Sequence, residues 1–123
     1  MSWARLAQHP AGLIALTGCR QGPLAAPLAA GDFPQATQRL DQLQAIFGRE
    51  QLFVELQQHA LPDDARRLPQ LLALAHRNGV PVVATGNVHY ATPAASRLRD
   101  ALVAIRYNGS LTAARRAGHL PPN

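Results

Sequence analysis

Short, nearly continuous apolar runs alternate along this chain with stretches in which apolar residues recur every three or four positions. Gly12-Leu-Ile-Ala-Leu-Thr17 is the first such run, closed by Gly18, and it predicts a buried strand. Residues 22–30 are rich in Ala and Leu, but Pro23 and Pro27 limit any helix there to short pieces. Asp32 can cap a clearer helix over 33–47, where Leu40, Leu43, Ile46 and Phe47 follow helical spacing and Gly48 supplies the stop. Gln51-Leu-Phe-Val-Glu-Leu-Gln57 predicts a second strand, with Leu52, Val54 and Leu56 on one face and Phe53 on the other.

A second helix is expected to start at Asp63 or Asp64. Leu68, Leu71, Leu72 and Leu74 form its apolar stripe, and Asn78-Gly79 closes it. Val80-Pro-Val-Val-Ala-Thr85 reads as a third strand, apolar enough to be covered on both faces. Thr92-Pro93 signals another helix start, with Pro at its first position, and Leu98, Leu102 and Ile105 carry it onward. A short basic helix follows around 111–117, before Pro121-Pro122 ends the pattern.

Strand and helix thus alternate three times, which predicts an α/β fold built from right-handed βαβ units around a parallel sheet. A closed β/α barrel takes roughly 250 residues, about twice the 123 present. An open three-stranded parallel sheet leaves two exposed edges. The Met1-Ser2-Trp3 start and the Pro-Pro-Asn end read as cuts, so the expectation is one part of a larger domain. Such a piece, isolated, is expected to be marginally stable or prone to aggregate.

Composition narrows the class. Hydrophobic residues make up 47% and charged residues 15%, which excludes a disordered chain. No apolar stretch is long enough for a membrane helix or a signal-peptide core, leaving a cytoplasmic soluble protein as the default. Cys19 is the single cysteine, so no internal disulfide forms. All twelve basic residues are Arg, and against seven acidic residues they give a net charge of +5. That balance permits a polyanionic neighbour such as nucleic acid without demanding one. From Arg97 onward five Arg face Asp100 alone, a segment suited to a phosphate backbone or simply to a solvated helix face. The sequence there shows no aromatic interleaving of the kind that stacks on single strands.

In parallel β/α folds, reactive residues gather where strands end at their C-termini. Each strand delivers candidates there: Cys19 after the first, Glu55 and His59 at and beyond the end of the second, Asn87 and His89 after the third. A thiolate, imidazoles and oxygen donors on one rim suit Zn²⁺ or a pair of divalent ions. Each also has a plainer reading. Cys19 can be a small buried hydrophobe, Glu55 the partner of an arginine, and His59 or His89 an ordinary loop residue. His9, His76 and His119 fall at helix ends or in loops, where surface roles suffice. No Gly-rich phosphate loop and no Ser-His-Asp arrangement is present.

Three segments, Gly12-Leu-Ile-Ala-Leu-Thr-Gly-Cys-Arg20, Phe53-Val-Glu-Leu-Gln-Gln-His59 and Val82-Val-Ala-Thr-Gly-Asn-Val-His-Tyr-Ala-Thr-Pro93, resemble in order and spacing the polymerase-and-histidinol-phosphatase (PHP) domain of bacterial C-family DNA polymerases. Ser110-Leu111 and Leu120-Pro121 extend the likeness over nearly the whole chain, which corresponds to the second half of that domain. The resemblance leans toward the error-prone polymerases of damage-induced mutagenesis and lesion bypass rather than the replicative alpha subunit. It implies a partial, distorted (β/α)7 barrel over residues 1–123, without palm, fingers or thumb.

By the same resemblance, Cys19, Asn87 and His89 occupy metal-ligand positions, while Glu55 and His59 play structural or supporting parts around them. The family's usual aspartate is Asn87 here, a neutral amide that is a weaker ligand and no general base. Its amino-terminal His-x-His donors are absent from the chain. The resemblance therefore implies a degenerate PHP site for Zn²⁺ or Mn²⁺ and no activity of the segment alone. The parent would be a DNA-directed DNA polymerase, a nucleotidyltransferase of DNA replication and repair, acting on DNA and deoxynucleoside triphosphates with Mg²⁺ held elsewhere in the chain. Two other classes stay open: a stand-alone PHP-type metal-dependent phosphoesterase, and a small basic nucleic-acid-binding module.

Overall fold

The structure is a computed structural model that describes residues 3–120. It divides into two compact units, Met1–Asn87 and Val88–Asn123. The expected end signal Pro121-Pro122 lies outside the described residues.

The first unit carries the sheet. Its strands β1 (Ala15–Leu16), β2 (Leu52–Leu56) and β3 (Val82–Ala84) are parallel and lie in the order β1-β2-β3. Ala15 sits opposite Leu52, and Val54 opposite Val82, so the central strand is also the most buried. Four helices accompany the sheet: α1 (Trp3–Ala7), α2 (Ala25–Ala29), α3 (Phe33–Phe47) and α4 (Asp64–Asn78). The α1 turn had no counterpart in the sequence pattern. A five-residue helix without a capping signal leaves little periodicity to read.

α3 has the predicted limits. The Asp32 carboxylate accepts the Gln35 N–H at 2.9 Å, which satisfies one of the unpaired donors of the first turn. At the other end Gly48 takes φ +73°, a left-handed geometry that favours glycine. α4 ends the same way at Gly79, φ +63°. Leu24 and Leu28 of the α2 segment, Leu40 and Leu43 of α3, Leu52 and Val54 of β2 and Leu71 and Leu74 of α4 converge on one core. Trp3 packs at its edge, with the Arg39 guanidinium 5.6 Å from its ring.

Several burial expectations are corrected. The first strand is two residues long rather than six, and Leu13, Ile14 and Leu16 are exposed. It has β2 as its single sheet neighbour, and only Ala15 reaches the core. β3 is likewise an edge: Val82 and Ala84 are exposed, so the run is not covered on both faces. On α4 the buried face is Asp64, Arg67, Leu71, Leu74 and Ala75, and Leu72 is half exposed. An i, i+3, i+7 stripe therefore begins with two charged residues, which a search for apolar positions passes over. In β2, Glu55 is buried although Leu52 and Val54 fill the opposite face, so both faces of the strand are covered.

The second unit is a helical hairpin. A 3₁₀ turn over Pro93–Ala95 leads into α5 (Ser96–Arg106), and α6 (Leu111–Arg116) follows. Ser110 caps α6 by accepting the Ala113 N–H at 3.1 Å. Ala104 and Ala114 are buried, whereas Leu98, Leu102 and Ile105 are exposed at 64%, 58% and 73%. The apolar stripe expected on α5 thus exists in sequence but is not covered by described residues.

Candidate functional site

The C-terminal ends of the three strands are joined through Glu55. Its carboxylate Oε2 accepts the Gly18 N–H at 3.0 Å, just beyond β1. Its Oε1 accepts the Gln57 amide at 2.8 Å and the Thr85 hydroxyl, just beyond β3. The Gln57 amide also donates to Thr85 Oγ1 at 3.2 Å. Thr17 Oγ1 in turn accepts the Glu55 N–H at 2.9 Å. Glu55 is 8% exposed, and burying a carboxylate is costly unless donors replace its water. Three donors from three strand ends do so here. Its described contacts go to these donors rather than to an arginine, the plainer alternative reading. The Gln57 Oε1 atom, also buried, has no hydrogen-bond partner among the described residues.

Cys19 follows directly on this clasp. Gly18 has φ +81°, and the Gly22 N–H donates to the Cys19 carbonyl at 2.8 Å, folding residues 19–22 into a tight turn. A Cβ at Gly22 would lie 2.6 Å from the Thr17 carbonyl oxygen and 2.8 Å from that of Cys19, so the turn admits only glycine. The thiol is free and half-buried. Asn87 is half-buried with φ +48°, a left-handed conformation that Asn adopts more readily than most residues. The side chain at this position therefore answers a backbone requirement as well as any ligand role. His89 is exposed and belongs to the second unit.

A second clasp, missed by sequence reasoning, holds the loop between β2 and α4. Asp64 Oδ2 accepts the N–H groups of His59 at 2.8 Å and Leu61 at 3.0 Å. Its Oδ1 pairs with the Arg67 guanidinium, which also donates to the Gln57 carbonyl at 3.1 Å and reaches Asp63 at 3.4 Å. Asp64 and Arg67 are 3% and 5% exposed. Burial is the largest influence on the Asp64 carboxyl and pushes its pKa up. The His59 and Leu61 N–H donors, the Arg67 guanidinium and the His59 charge together outweigh it and hold the pKa below the ordinary aspartate value. His59 itself joins through its backbone, and its side chain is exposed. The available signal was the Asp63-Asp64-x-x-Arg67 spacing, which places both carboxylates within one turn of the guanidinium.

The donor set is a poor match to a divalent metal. The first unit offers a thiol at Cys19 and a neutral amide at Asn87, and the carboxylate between the strands is already engaged by three protein donors. Among the described residues no three His, Cys, Asp or Glu side chains form a metal-holding group.

Residues 1–59 match the PHP domain family, a stretch that includes Cys19, Glu55 and His59. The chain is 41% identical to the DNA polymerase III subunit alpha of Caulobacter vibrioides over 103 residues, 84% of this chain and 9% of that protein. It is 44% identical to the error-prone DNA polymerase of Nocardia farcinica over 113 residues, 87% of this chain and 10% of that one. The DNA polymerase III subunit alpha of Treponema pallidum is 39% identical over 81% of the chain. Residues 1–59 thus match the PHP domain, and the chain as a whole is homologous to a segment of bacterial DNA polymerase III alpha subunits and error-prone DNA polymerases. It spans about a tenth of the length of the curated relatives it matches. Glu55 thus ties Gly18, inside the PHP match, to Thr85 beyond it, and no helix among the described residues is long and apolar enough to cross a membrane.

Proposed function

We propose that this chain is a structural segment of an error-prone DNA-directed DNA polymerase, the second half of a PHP domain whose metal site has degenerated. The parent extends primers with deoxynucleoside triphosphates on damaged DNA in the cytoplasm, using Mg²⁺ held outside this segment. Residues 1–123 contribute part of a β/α barrel and carry no nucleotidyl transfer of their own. The observation that carries this reading is the engagement of Glu55. The carboxylate placed among the strand ends spends its acceptors on Gly18, Gln57 and Thr85 and so serves the fold. The amide at Asn87 and the 44% identity to an error-prone polymerase support the same choice.

A stand-alone phosphoesterase makes the opposite prediction. Purified chain incubated with an aryl phosphate and Mn²⁺ or Zn²⁺ is expected to hydrolyse no faster than the metal alone, with His89→Ala indistinguishable. Metal-dependent turnover that disappears in His89→Ala would overturn the degenerate-site reading.

A further inference from the structure

α5 presents two chemically different sides. At about 100° per residue, Leu98, Leu102 and Ile105 fall within an arc of about 60° and form one continuous aliphatic stripe. All three are more than half exposed. Isolated exposed leucines are ordinary, whereas three aliphatic residues on one helical face form a patch of the kind that marks a docking surface. Arg97 flanks the stripe on one side and Arg106 on the other. Both are exposed, and neither has an acidic partner among the described residues. The opposite side holds buried Ala104 and Asp100, the single acidic residue of the unit, which lies 3.2 Å from each of Arg99 and Arg115. No acidic side chain of this unit is left for the flanks. The Tyr107 and His119 rings stack with centroids 3.7 Å apart and join the ends of α5 and α6, so a braced hairpin rather than a lone helix presents the face. The Arg106 guanidinium, 5.9 Å from the Tyr107 ring, is not neutralised by it.

An aliphatic stripe between unpaired cations calls for its complement, aliphatic side chains at i, i+4 and i+7 bordered by carboxylates. A second copy does not supply it, because two such faces enclose the seam with four guanidinium groups and no carboxylate. Nucleic acid does not match either, since three aliphatic side chains at the centre neither stack on bases nor neutralise phosphates. A bilayer surface is served less well, because the stripe is three side chains wide and has no interfacial aromatic.

We propose that α5 docks an acidic amphipathic helix of a partner protein, seated on Leu98, Leu102 and Ile105 with its carboxylates on Arg97 and Arg106. The proposal stands on this unit alone and is independent of the polymerase reading.

The probe is a labelled, helix-stapled peptide of about 15 residues with Leu at i, i+4 and i+7 bordered by Glu. It is titrated with the full 123-residue chain by fluorescence anisotropy, the fold of the chain being checked by circular dichroism. The Glu peptide is expected to bind at least about tenfold more tightly than the same peptide with Lys for Glu, and to weaken as salt is raised. Arg97→Gln with Arg106→Gln is expected to lower its affinity at least about fivefold and to erase the preference over the Lys peptide. Leu98→Gln and Leu102→Gln, each made singly, are expected to weaken binding at least about tenfold while leaving the thermal midpoint of the free chain unchanged. Arg49→Gln with Arg77→Gln removes equal charge from the first unit and is expected to change affinity by less than about twofold. The proposal is overturned by a folded chain that does not bind the Glu peptide or binds both peptides equally. It is also overturned by a loss of stability in both leucine variants, which would place the stripe in the chain's own core. Stripe-dependent binding to phosphatidylglycerol vesicles without binding to the peptide, or stripe-dependent self-association, would overturn it in favour of a membrane or a second copy.

Discussion

Glu55→Ala is expected to cost about 3 kcal/mol, because it takes the acceptor from three donors, of which only the Gln57 amide keeps another in Thr85 Oγ1, at about 1–3 kcal/mol for each buried unsatisfied group. The donors are the Gly18 N–H, the Gln57 amide and the Thr85 hydroxyl, one from each strand end. That is a large share of the stability of a small domain. Thr85→Ala removes a single donor and is expected to cost about 1 kcal/mol. Because the two share one bond, the Thr85→Ala cost is expected to shrink in the Glu55→Ala background, where only the Gln57–Thr85 bond remains to be lost. Urea midpoints of the four chains decide the matter. A Glu55→Ala chain no less stable than Thr85→Ala, or fully additive effects, would show that Glu55 does not tie the strands.

Arg67→Met gives the second large effect. The substitution keeps the aliphatic stem but leaves the Asp64 carboxylate buried without its cation, a situation that costs about 3–5 kcal/mol. The effect depends on pH in a defined sense. Asp64 has a folded pKa below its unfolded value, so the stability it contributes is present above the unfolded pKa of about 3.9. That stability is lost as pH falls through the folded value. In wild type this group therefore destabilises the fold only below about pH 4. In Arg67→Met the guanidinium no longer favours the charged form, so Asp64 protonates at higher pH. The deficit relative to wild type is expected to be largest near pH 7 and to shrink toward pH 3. Equal deficits at both pH values would mean that Arg67 contributes packing rather than charge.

Local signals in the sequence carried much of the fold. The Asp32 cap and the Gly48 and Gly79 stops lie next to the elements they bound, so α3 and α4 were legible within a residue or two. Parallel pairing followed from strand–helix alternation. What failed was coverage. Leu13, Ile14, Val82, Leu98 and Ile105 are apolar, and periodicity alone cannot say whether a partner surface lies over them. The site divided along the same line. Glu55 was singled out by its place at a strand end, yet its partners Gly18 and Thr85 are 37 and 30 residues away, and only the sheet register brings them to it. Asp64 and Arg67 are neighbours in sequence, but nothing local reveals that the pair is buried rather than solvated. The ring stack of Tyr107 and His119 depends on a hairpin that no single window contains.

The claim that this chain is part of a long polymerase is tested most directly by the size of the native product. Peptides from residues 1–123 are to be detected by mass spectrometry in a size-separated cell extract. The account predicts that they migrate in a polypeptide roughly ten times longer, as the relatives' lengths imply. A discrete product near 13.2 kDa would contradict it.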